Sequence, residues 1–242
     1  MTALNLLTLE GVQTHIGAYH ILHGVDLAVP KGQLTMLLGR NGAGKTTTLR
    51  TIMGLWHASQ GRVRFGDKDI TALQTPQIAG LGIAYVPENM GIFSDLTVKE
   101  NMLLAARAAK NAGQIDDTRL KWIFKLFPAV EKFWNHPAGK LSGGQKQMLA
   151  VSRAIVEPRE LLLIDEPSKG LAPVMINNMI DAFAELKRSG VTILLVEQNI
   201  NFAQRLGDNV AVMDNGRVVH SGSMAAFSAD AQLQQSLLGL AL

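Results

Sequence analysis

Hydrophobic and polar residues alternate through the first part of the chain in the manner of short β-strands. Residues 6–13 and 24–33 carry apolar side chains at alternate positions, a period that is typical of half-buried strands separated by turns. Residues 33–39 form a short apolar run ahead of a glycine-rich stretch. A hairpin is predicted over 61–70 and a further strand within 82–90. We therefore expect this region to be built mainly from strands.

The pattern changes to a helical period after this region. Between residues 97 and about 127, apolar side chains recur every three or four positions, which predicts two amphipathic helices. Asp116 and Asp117 are candidate N-caps of the second helix, and Pro128 is expected to end it. A third helix is predicted over 142–156. These helices form an insert in a chain that otherwise alternates strands and helices.

The last third of the chain returns to short apolar runs separated by helical patterns. In chain order the predicted elements are strand 161–165, helix 173–190, strand 191–197, helix 199–208 and hairpin 210–222. Strands that alternate with helices imply a parallel sheet covered on both faces. The stretch 224–242 has amphipathic character without a basic face, so we expect it to pack on its own domain rather than on a membrane.

The composition narrows the class of protein. The chain has 242 residues, is 47% hydrophobic and contains no cysteine, which excludes disulfides and thiolate metal sites and is typical of a cytosolic globular protein. No apolar run approaches the roughly 20 residues that cross a bilayer, and the N-terminus lacks a signal-peptide pattern. A net charge of +3 is too small and too dispersed to predict nucleic-acid binding. His15, His20 and His23 do not form a metal-binding signature.

The glycine-rich stretch GRNGAGKT at 39–46 fits the phosphate-loop pattern G-x-x-x-x-G-K-[ST] in full. A glycine-rich turn can match this pattern by chance, but here it lies between a predicted strand and a predicted helix. Its backbone N–H groups and the start of the helix favour phosphate binding. Lys45 is expected to reach the β- and γ-phosphates, and Thr46 to offer its hydroxyl to Mg²⁺.

The run LLLIDEP at 161–167 ends in two adjacent carboxylates, Asp165 and Glu166. A buried carboxylate without a partner is unfavourable, so the pair is either solvated at the surface or faces a cation. Beside a phosphate loop, an acid at the end of a neighbouring strand approaches the Mg²⁺ held by Thr46. We therefore predict that Asp165 serves the metal and that Glu166 orients or deprotonates the attacking water.

The motif LSGGQ at 141–145, between the phosphate loop and LLLIDEP, settles the type of phosphate-loop protein. With these three motifs in this order, nearly the whole chain resembles the ATP-binding cassette (ABC) family. The resemblance implies that two cassettes pair head to tail, so that each ATP lies between one phosphate loop and the signature of the other chain. The implied ATP contacts are Gly39, Arg40, Asn41, Gly42, Ala43, Gly44, Lys45, Thr46, Thr47, Ser142, Gly143, Gly144 and Gln145.

The resemblance also implies a fold. We expect an α/β phosphate-loop NTPase of the ABC type, in which a RecA-like mixed sheet core carries an antiparallel β subdomain and a helical insert. The chain is expected to form a single ABC ATPase domain over 1–242. The core and β subdomain would take approximately 1–92 and 157–242, and the helical subdomain approximately 93–156.

Segments 85–102, 165–173 and 194–200 resemble the ATPase subunits of branched-chain amino acid importers. This implies membrane-spanning permease subunits, a second ABC ATPase in a homo- or heterodimer and, indirectly, a periplasmic solute-binding protein, without nucleic acid. The ATPase would be peripheral on the cytoplasmic face of the inner membrane, with 85–128 facing the permease. The alternatives are an ATPase of lipid or lipopolysaccharide export and a non-transport ABC ATPase. The latter usually has two cassettes or a long coiled-coil insert, which this chain lacks.

Three positions depart from the usual ABC pattern. Glu88 stands where most members have a glutamine that reaches Mg²⁺, and it is expected to serve the metal with an added charge. Gln198 replaces a histidine that touches the γ-phosphate; its amide can donate a hydrogen bond but cannot titrate. The aromatic residue that stacks on adenine in the family aligns with Ile16, three residues before Tyr19. We favour contact between adenine and Ile16, with Tyr19 as the alternative.

Overall fold

The computed structural model describes residues 4–108 and 114–239. Within these residues, the strands in chain order are β1 Asn5–Ile16, β2 Tyr19–Pro30, β3 Leu34–Gly39, β4 Ala58–Phe65, β5 Lys68–Asp69, β6 Ile83–Val86, β7 Leu161–Asp165, β8 Thr192–Glu197, β9 Asn209–Asp214 and β10 Arg217–Ser223. The α-helices are α1 Lys45–Ile52, α2 Thr75–Gly80, α3 Val98–Ala108, α4 Asp117–Leu126, α5 Pro128–Lys132, α6 Gly143–Ala154, α7 Pro173–Arg188, α8 Ile200–Leu206, α9 Met224–Ala229 and α10 Ala231–Leu238.

A six-stranded sheet in the order β10-β9-β3-β8-β7-β6 forms the centre of the fold. Its strands are parallel except for β10, which pairs with β9 in the antiparallel direction. Every residue of β3, β7 and β8 is buried, because both faces of these strands are covered. The predicted parallel sheet is confirmed. Its carboxyl edge brings together the segments that follow β3, β7 and β8.

The core forms two layers, one on each face of this sheet. Along β7, Leu162 and Ile164 belong to a cluster with helices α3, α4, α6, α7 and α8, while Leu161 and Leu163 belong to a second cluster. The second cluster joins the sheet to α1, α2 and the strands of the smaller sheet. Successive side chains of a strand point to opposite faces of the sheet. Alternate residues of β7 therefore pack on the helices and on the layer that contains the second sheet.

The second sheet is antiparallel and has the order β2-β1-β4-β5. Here the prediction of short strands broken by turns was wrong, because β1 and β2 each run for 12 residues. Gly11 and Gly24 have φ values of 57° and 89°, and the register of the pair shifts between Leu9 and Val12. These glycines accommodate β-bulges inside continuous strands and do not end them. The predicted hairpins at 61–70 and 210–222 are confirmed.

Helices α3 to α6 lie between β6 and β7 in the chain, as the helical pattern predicts. Asp116 is the N-cap of α4, and its Oδ1 accepts a hydrogen bond of 2.8 Å from the Arg119 N–H. Pro128 does not directly follow α4, which ends at Leu126, and instead begins α5. Proline is well suited to the first position of a helix, where no intrahelical donor is needed.

The C-terminal stretch forms two helices, and its last residues, 240–242, lie outside the described residues. Asp230 separates α9 from α10 and caps α10 by accepting a 2.8 Å hydrogen bond from the Leu233 N–H. Met224 and Phe227 are buried in the main core, so this stretch packs on its own domain as expected. Among the described helices, none has both the length and the apolar character of a membrane span.

Candidate active site

The phosphate loop connects the end of β3 to the start of α1 at the carboxyl edge of the central sheet. Gly39 and Gly44 have φ values of 150° and 104°, in the region that favours glycine. A Cβ on Gly39 would collide with the Met213 carbonyl oxygen, and one on Gly44 would lie 2.9 Å from Leu22. The two glycines therefore allow the loop to turn tightly beneath β9 and β2, with α1 starting at Lys45.

Lys45 has a buried side chain that is held by its own loop. Its Nζ donates hydrogen bonds of 2.8 Å to the Gly39 carbonyl and 3.0 Å to the Arg40 carbonyl, and it lies 3.7 Å from Glu166 Oε1. Burial lowers the pKa of Lys45, while the charges of Glu166 and Asp165 oppose this shift. The ammonium is thus held at the phosphate loop by two backbone carbonyls.

Asp165 ends β7 next to Thr46 of the phosphate loop. Its Oδ1 accepts a 3.1 Å hydrogen bond from the Thr46 hydroxyl, and its Oδ2 accepts a 3.3 Å hydrogen bond from the Tyr85 hydroxyl. The side chain is fully buried, and burial raises the pKa of its carboxyl, while the hydrogen bond from Thr46 opposes that rise. Burial is also the main reason that the pKa of Tyr85 rises to about 12.

The donor set around Asp165 fits a hard divalent cation. Among the described residues, no lysine or arginine nitrogen lies within 4.0 Å of this carboxylate. A buried carboxylate that has only hydroxyl partners lacks a counter-ion. Carboxylate and hydroxyl oxygens are the ligands that Mg²⁺ prefers, so Asp165 and Thr46 can hold this ion.

Glu166 follows Asp165 in a left-handed conformation, with φ 47°, which is uncommon for a residue with a side chain. Its backbone N–H donates a 2.9 Å hydrogen bond to the Val196 carbonyl at the end of β8. The Gln198 amide donates hydrogen bonds of 2.5 Å to Glu166 Oε1 and 2.7 Å to Asn41 Oδ1. Gln198 therefore joins the phosphate loop to the proposed base, a contact that links three separate segments of the chain.

Glu197 is a site residue that the sequence analysis missed. It is 2% exposed and accepts backbone hydrogen bonds of 2.9 Å from Ser168, 3.1 Å from Gln198 and 3.2 Å from Asn199. Burial raises the pKa of its carboxyl, and these hydrogen bonds oppose the rise. Like Asp165, Glu197 is an acidic residue at the end of an apolar strand, and this pattern could have identified it from the sequence. It ties the loop after β7 to the loop after β8.

Lys169 was also missed. Its Nζ lies 2.5 Å from Glu88 Oε1 and 3.5 Å from Glu166 Oε2. The hydrogen bond to Glu88 is the largest cause of a raised pKa of the Lys169 ammonium, followed by the charge of Glu166. Nothing in the sequence pattern joins residues 88 and 169, because the contact depends on the folded arrangement of two loops.

Several of these groups line one cavity of about 360 Å³. Its lining residues are Ile21, Asn41, Gly42, Gly44, Lys45, Thr46, Thr47, Glu88, Glu166 and Lys169. The phosphate loop, Glu88 and Glu166 are thus brought together as the sequence predicts. Ile21 supplies the apolar wall, whereas Ile16 and Tyr19 face each other across the β1–β2 hairpin outside this lining. Tyr19 is 75% exposed.

The signature residues lie away from this cavity, at the start of α6. Ser142 is the N-cap of α6: its hydroxyl accepts a 3.3 Å hydrogen bond from the Gln145 N–H, and the Gln145 side chain accepts one of 2.9 Å from the Ser142 N–H. This reciprocal pair is a capping box. A Cβ on Gly143 would meet nothing within 4 Å, whereas one on Gly144 would crowd Met175. The signature therefore presents an open, hydrogen-bonding helix start.

Comparisons with known proteins agree with this arrangement. The profile of the family described as "ABC transporter" matches residues 22–169. The chain is 38% identical over 236 residues to the high-affinity branched-chain amino acid transport ATP-binding protein BraG of Pseudomonas aeruginosa, covering 97% of this chain and 100% of that protein. It is 37% identical over 205 residues to the probable branched-chain amino acid transport ATP-binding protein LivF of Archaeoglobus fulgidus, covering 84% and 86% of the two chains.

Solved structures show the same fold. A crystal structure of the ADP conformation of an ATP-binding cassette of an ABC transporter superimposes with a TM-score of 0.83 at 26% identity, covering 98% of this chain and 99% of that chain. The structure of an ATP-binding subunit of an ABC transporter gives a TM-score of 0.82 at 29% identity, with coverage of 97% and 96%. The similarity therefore extends over the sheets and the helical insert together.

Proposed function

Because the chain belongs to the ABC transporter family and is an ATP-hydrolysing member of it, we propose that it powers an importer for branched-chain or other amino acids and related small polar solutes. One observation carries the substrate class: the similarity to a branched-chain amino acid transport ATP-binding protein extends over 97% of this chain. The transported solute would be selected by the membrane and solute-binding subunits. This chain would supply the ATP-driven step that is common to such systems.

We propose that ATP lies in the cavity at the phosphate loop. Backbone N–H groups of residues 39–47 and the Lys45 ammonium would bind its phosphates. Thr46, Asp165 and Glu88 would hold Mg²⁺, which stabilises negative charge on the phosphates when it is bound. Glu166 would take a proton from a water molecule that attacks the γ-phosphorus, giving ADP and inorganic phosphate. Gln198 would position phosphate and Glu166 through its amide, without changing its own charge.

The site is proposed to be completed by a second ABC ATPase, either another copy of this chain or a different subunit. The signature residues Ser142 to Gln145 lie outside the cavity of their own chain and present an open helix start. In a head-to-tail pair they would contact the γ-phosphate bound by the partner. ATP would then favour the closed pair and hydrolysis the open one. The core with its β subdomain, about 1–92 and 157–242, and the helical subdomain, about 93–156, would act within one ATPase domain.

A groove between the central sheet and the helical insert is the proposed docking site for a permease subunit. Its volume is about 760 Å³, and residues 85–87 and 89–91 contribute to its wall. Three arginines line it: Arg50, Arg153 and Arg159. Such a wall favours a permease segment that carries acidic side chains beside apolar ones. The ATPase would then be a peripheral subunit at the cytoplasmic face of the inner membrane, with only indirect contact to a periplasmic solute-binding protein.

The proposal is tested by affinity purification of the full chain from its native cell in mild detergent, with identification of the co-purifying proteins. We expect two membrane subunits and a second ATPase. An Arg159→Glu variant should reduce their recovery, while Arg188→Glu, at an exposed position at the end of α7, should not. Recovery with ribosomes, with DNA or with a lipid or lipopolysaccharide exporter would contradict the amino acid importer and leave the ATPase assignment intact.

A further inference from the structure

Lys169 lies on the loop between β7 and α7, whose backbone is fixed from several sides. The Lys169 N–H donates a 3.2 Å hydrogen bond to the Glu166 carbonyl, and the Leu171 N–H donates one of 3.2 Å to the Ser168 carbonyl. Ser168 is in turn bonded to the buried Glu197 carboxylate. The backbone that carries Lys169 is therefore held by hydrogen bonds on both sides of this residue, and its side chain lies beside Glu166.

The ammonium of Lys169 contacts two acids that come from different loops. It lies 2.5 Å from Glu88 Oε1 and 3.5 Å from Glu166 Oε2. Glu88 is 44% exposed and Lys169 58%, whereas Glu166 is only 9% exposed. The cluster therefore lies at the mouth of the cavity and reaches from solvent to the buried base. All three side chains line the same cavity.

The positive and negative side chains that line this cavity are equal in number. Its lining carries two ammonium groups, Lys45 and Lys169, and two carboxylates, Glu88 and Glu166. Each carboxylate has an ammonium within 4.0 Å. A divalent cation that is to be held by Glu88 therefore meets a carboxylate that already has a counter-ion. Opposite charges at this distance stabilise each other, and the pair must separate before Glu88 accepts another cation.

We propose that Lys169 is a positioning residue that acts as the resident counter-ion of Glu88 and Glu166 and competes with Mg²⁺ for Glu88. This inference rests on the proposed ATP site and deepens it. In the absence of nucleotide, Lys169 keeps both carboxylates in place and reduces their mutual repulsion. When magnesium nucleotide binds, Glu88 exchanges its ammonium partner, and the freed Lys169 remains beside Glu166 at the mouth of the cavity. The contacts of the loop between β7 and α7 thereby depend on metal binding.

The test is a Mg²⁺ titration of the binding of a fluorescent ATP analogue to the isolated full chain. Lys169→Met removes the charge and keeps most of the stem, and it should lower the half-saturating Mg²⁺ concentration by about two- to fivefold, the range of an exposed ion pair. Lys169→Arg should stay close to the wild type. Lys121→Met, at an exposed position on α4, is the control for loss of a surface charge and should also show no change.

Two further readouts separate competition from a loosened loop. In excess chelator, Lys169→Met should weaken binding of the metal-free analogue, because the cavity has lost a positive charge. In a Glu88→Gln background the effect of Lys169→Met on the Mg²⁺ requirement should shrink, since the competing pair is already broken. A merely structural lysine would weaken binding with and without Mg²⁺.

An unchanged or raised Mg²⁺ requirement in Lys169→Met would overturn the inference, provided that circular dichroism shows a folded chain. If the methionine variant does not fold, Lys169→Gln gives the same comparison. A wild-type chain that binds no nucleotide would overturn the ATP site and this inference together. Normal nucleotide binding with an unaltered Mg²⁺ dependence overturns the inference alone.

Discussion

Asp165 illustrates how a single residue can be unfavourable for folding and suited to hold a cation. Its carboxylate is fully buried, and its described partners are the hydroxyls of Thr46 and Tyr85. Two hydroxyl hydrogen bonds compensate only part of the lost hydration of a charge. The raised pKa of Asp165 follows from this imbalance. The residue therefore stores an unfavourable charge that a bound cation would relieve.

Asp165→Asn should stabilise the chain without nucleotide and abolish Mg²⁺-dependent nucleotide binding. Because the folded-state pKa of Asp165 is raised, the stability associated with its protonated form is present below the unfolded-state pKa and is lost as pH rises through the folded-state pKa. The variant should therefore gain over the wild type as pH increases, reaching about 0.5–2 kcal/mol near pH 7. Thermal unfolding between pH 5 and pH 8 measures this difference.

The control is Asp67→Asn, in the exposed turn between β4 and β5, whose melting temperature should follow the wild type at each pH. A melting temperature of Asp165→Asn that stays below the wild type throughout would show that the Thr46 and Tyr85 hydrogen bonds outweigh the desolvation of the charge.

The pair Glu166 and Gln198 leads to a second residue-scale prediction. Glu166→Gln should reduce ATP hydrolysis by roughly 100-fold or more and retain ATP binding, because it removes the base and keeps the shape. Gln198→Ala should reduce hydrolysis by roughly tenfold, because the link between Asn41 and Glu166 is lost while the carboxylate remains. Steady-state phosphate release by the assembled complex measures both.

The matched control is Gln13→Ala, which removes an exposed amide that donates a 3.0 Å hydrogen bond to Gln60, and it should leave hydrolysis unchanged. Full activity in Glu166→Gln together with no activity in Gln198→Ala would contradict the assignment of Glu166 as the base.

At the scale of elements, helix α6 combines a structural and a functional role in its first turn. Ser142→Ala should destabilise the chain by about 1 kcal/mol, because the capping box is lost, and it should also reduce ATP hydrolysis by the assembled complex. Asp116→Ala removes the N-cap of α4 and should cost a similar amount of stability. We expect it to leave hydrolysis near the wild-type rate. Thermal unfolding and phosphate release on the same samples separate the two effects.

Equal loss of hydrolysis in both cap variants would indicate that the signature turn acts only through helix stability. The comparison is informative because both caps are exposed and each accepts one backbone hydrogen bond, from Gln145 and from Arg119 respectively.

The elements differ in how far the sequence determined them. The phosphate loop, β7 and the start of α6 were predictable from the sequence. Each contains a short motif whose residue types are required by a specific chemical role. The length of β1 and β2 was not predictable, since Gly11 and Gly24 are equally compatible with turns and with bulges, and only strand pairing decides between them. The break between α9 and α10 at Asp230 was not predictable either, because it depends on how α9 packs against the core. Within the candidate site, Glu88 and Glu166 were found by motif position.

Lys169, Ile21 and the role of Glu197 were missed for a common reason. The contact between Lys169 and Glu88 spans 81 residues, and that between Glu197 and Ser168 spans 29. Each requires two loops from different strands to meet at the same edge of the sheet. Sequence periodicity carries no information on such encounters, because it reports the face on which a residue lies and not its partner from another strand.

At the scale of the whole molecule, the signature is separate from the cavity, as the proposed head-to-tail pairing requires. Ser142 and Gly143 lie outside the lining of the ATP cavity, and a Cβ on Gly143 would meet no atom within 4 Å. A glycine that faces open space and does not have a positive φ is not required by the fold of its own chain. Gly143 is therefore a suitable position at which to test the proposed contact with a partner molecule.

Gly143→Ala is the corresponding experiment on the paired assembly. The added methyl group meets open space in the single chain, so stability should be unchanged or higher by up to about 1 kcal/mol, as for alanine in place of glycine within a helix. ATP affinity of the isolated chain should also be unchanged. In the assembled complex the same methyl group would lie against the nucleotide of the partner, and misplacing the reacting groups by about 1 Å can reduce hydrolysis by roughly 100-fold.

Gly80→Ala is the matched control, because Gly80 is also helical and a Cβ there likewise meets nothing within 4 Å. It should retain both stability and hydrolysis. Loss of hydrolysis in Gly143→Ala alone, with normal melting and normal ATP binding, requires a surface that approaches Gly143 from outside the chain. Wild-type hydrolysis in Gly143→Ala would contradict head-to-tail pairing, since a γ-phosphate bound against this helix start leaves no space for a methyl group.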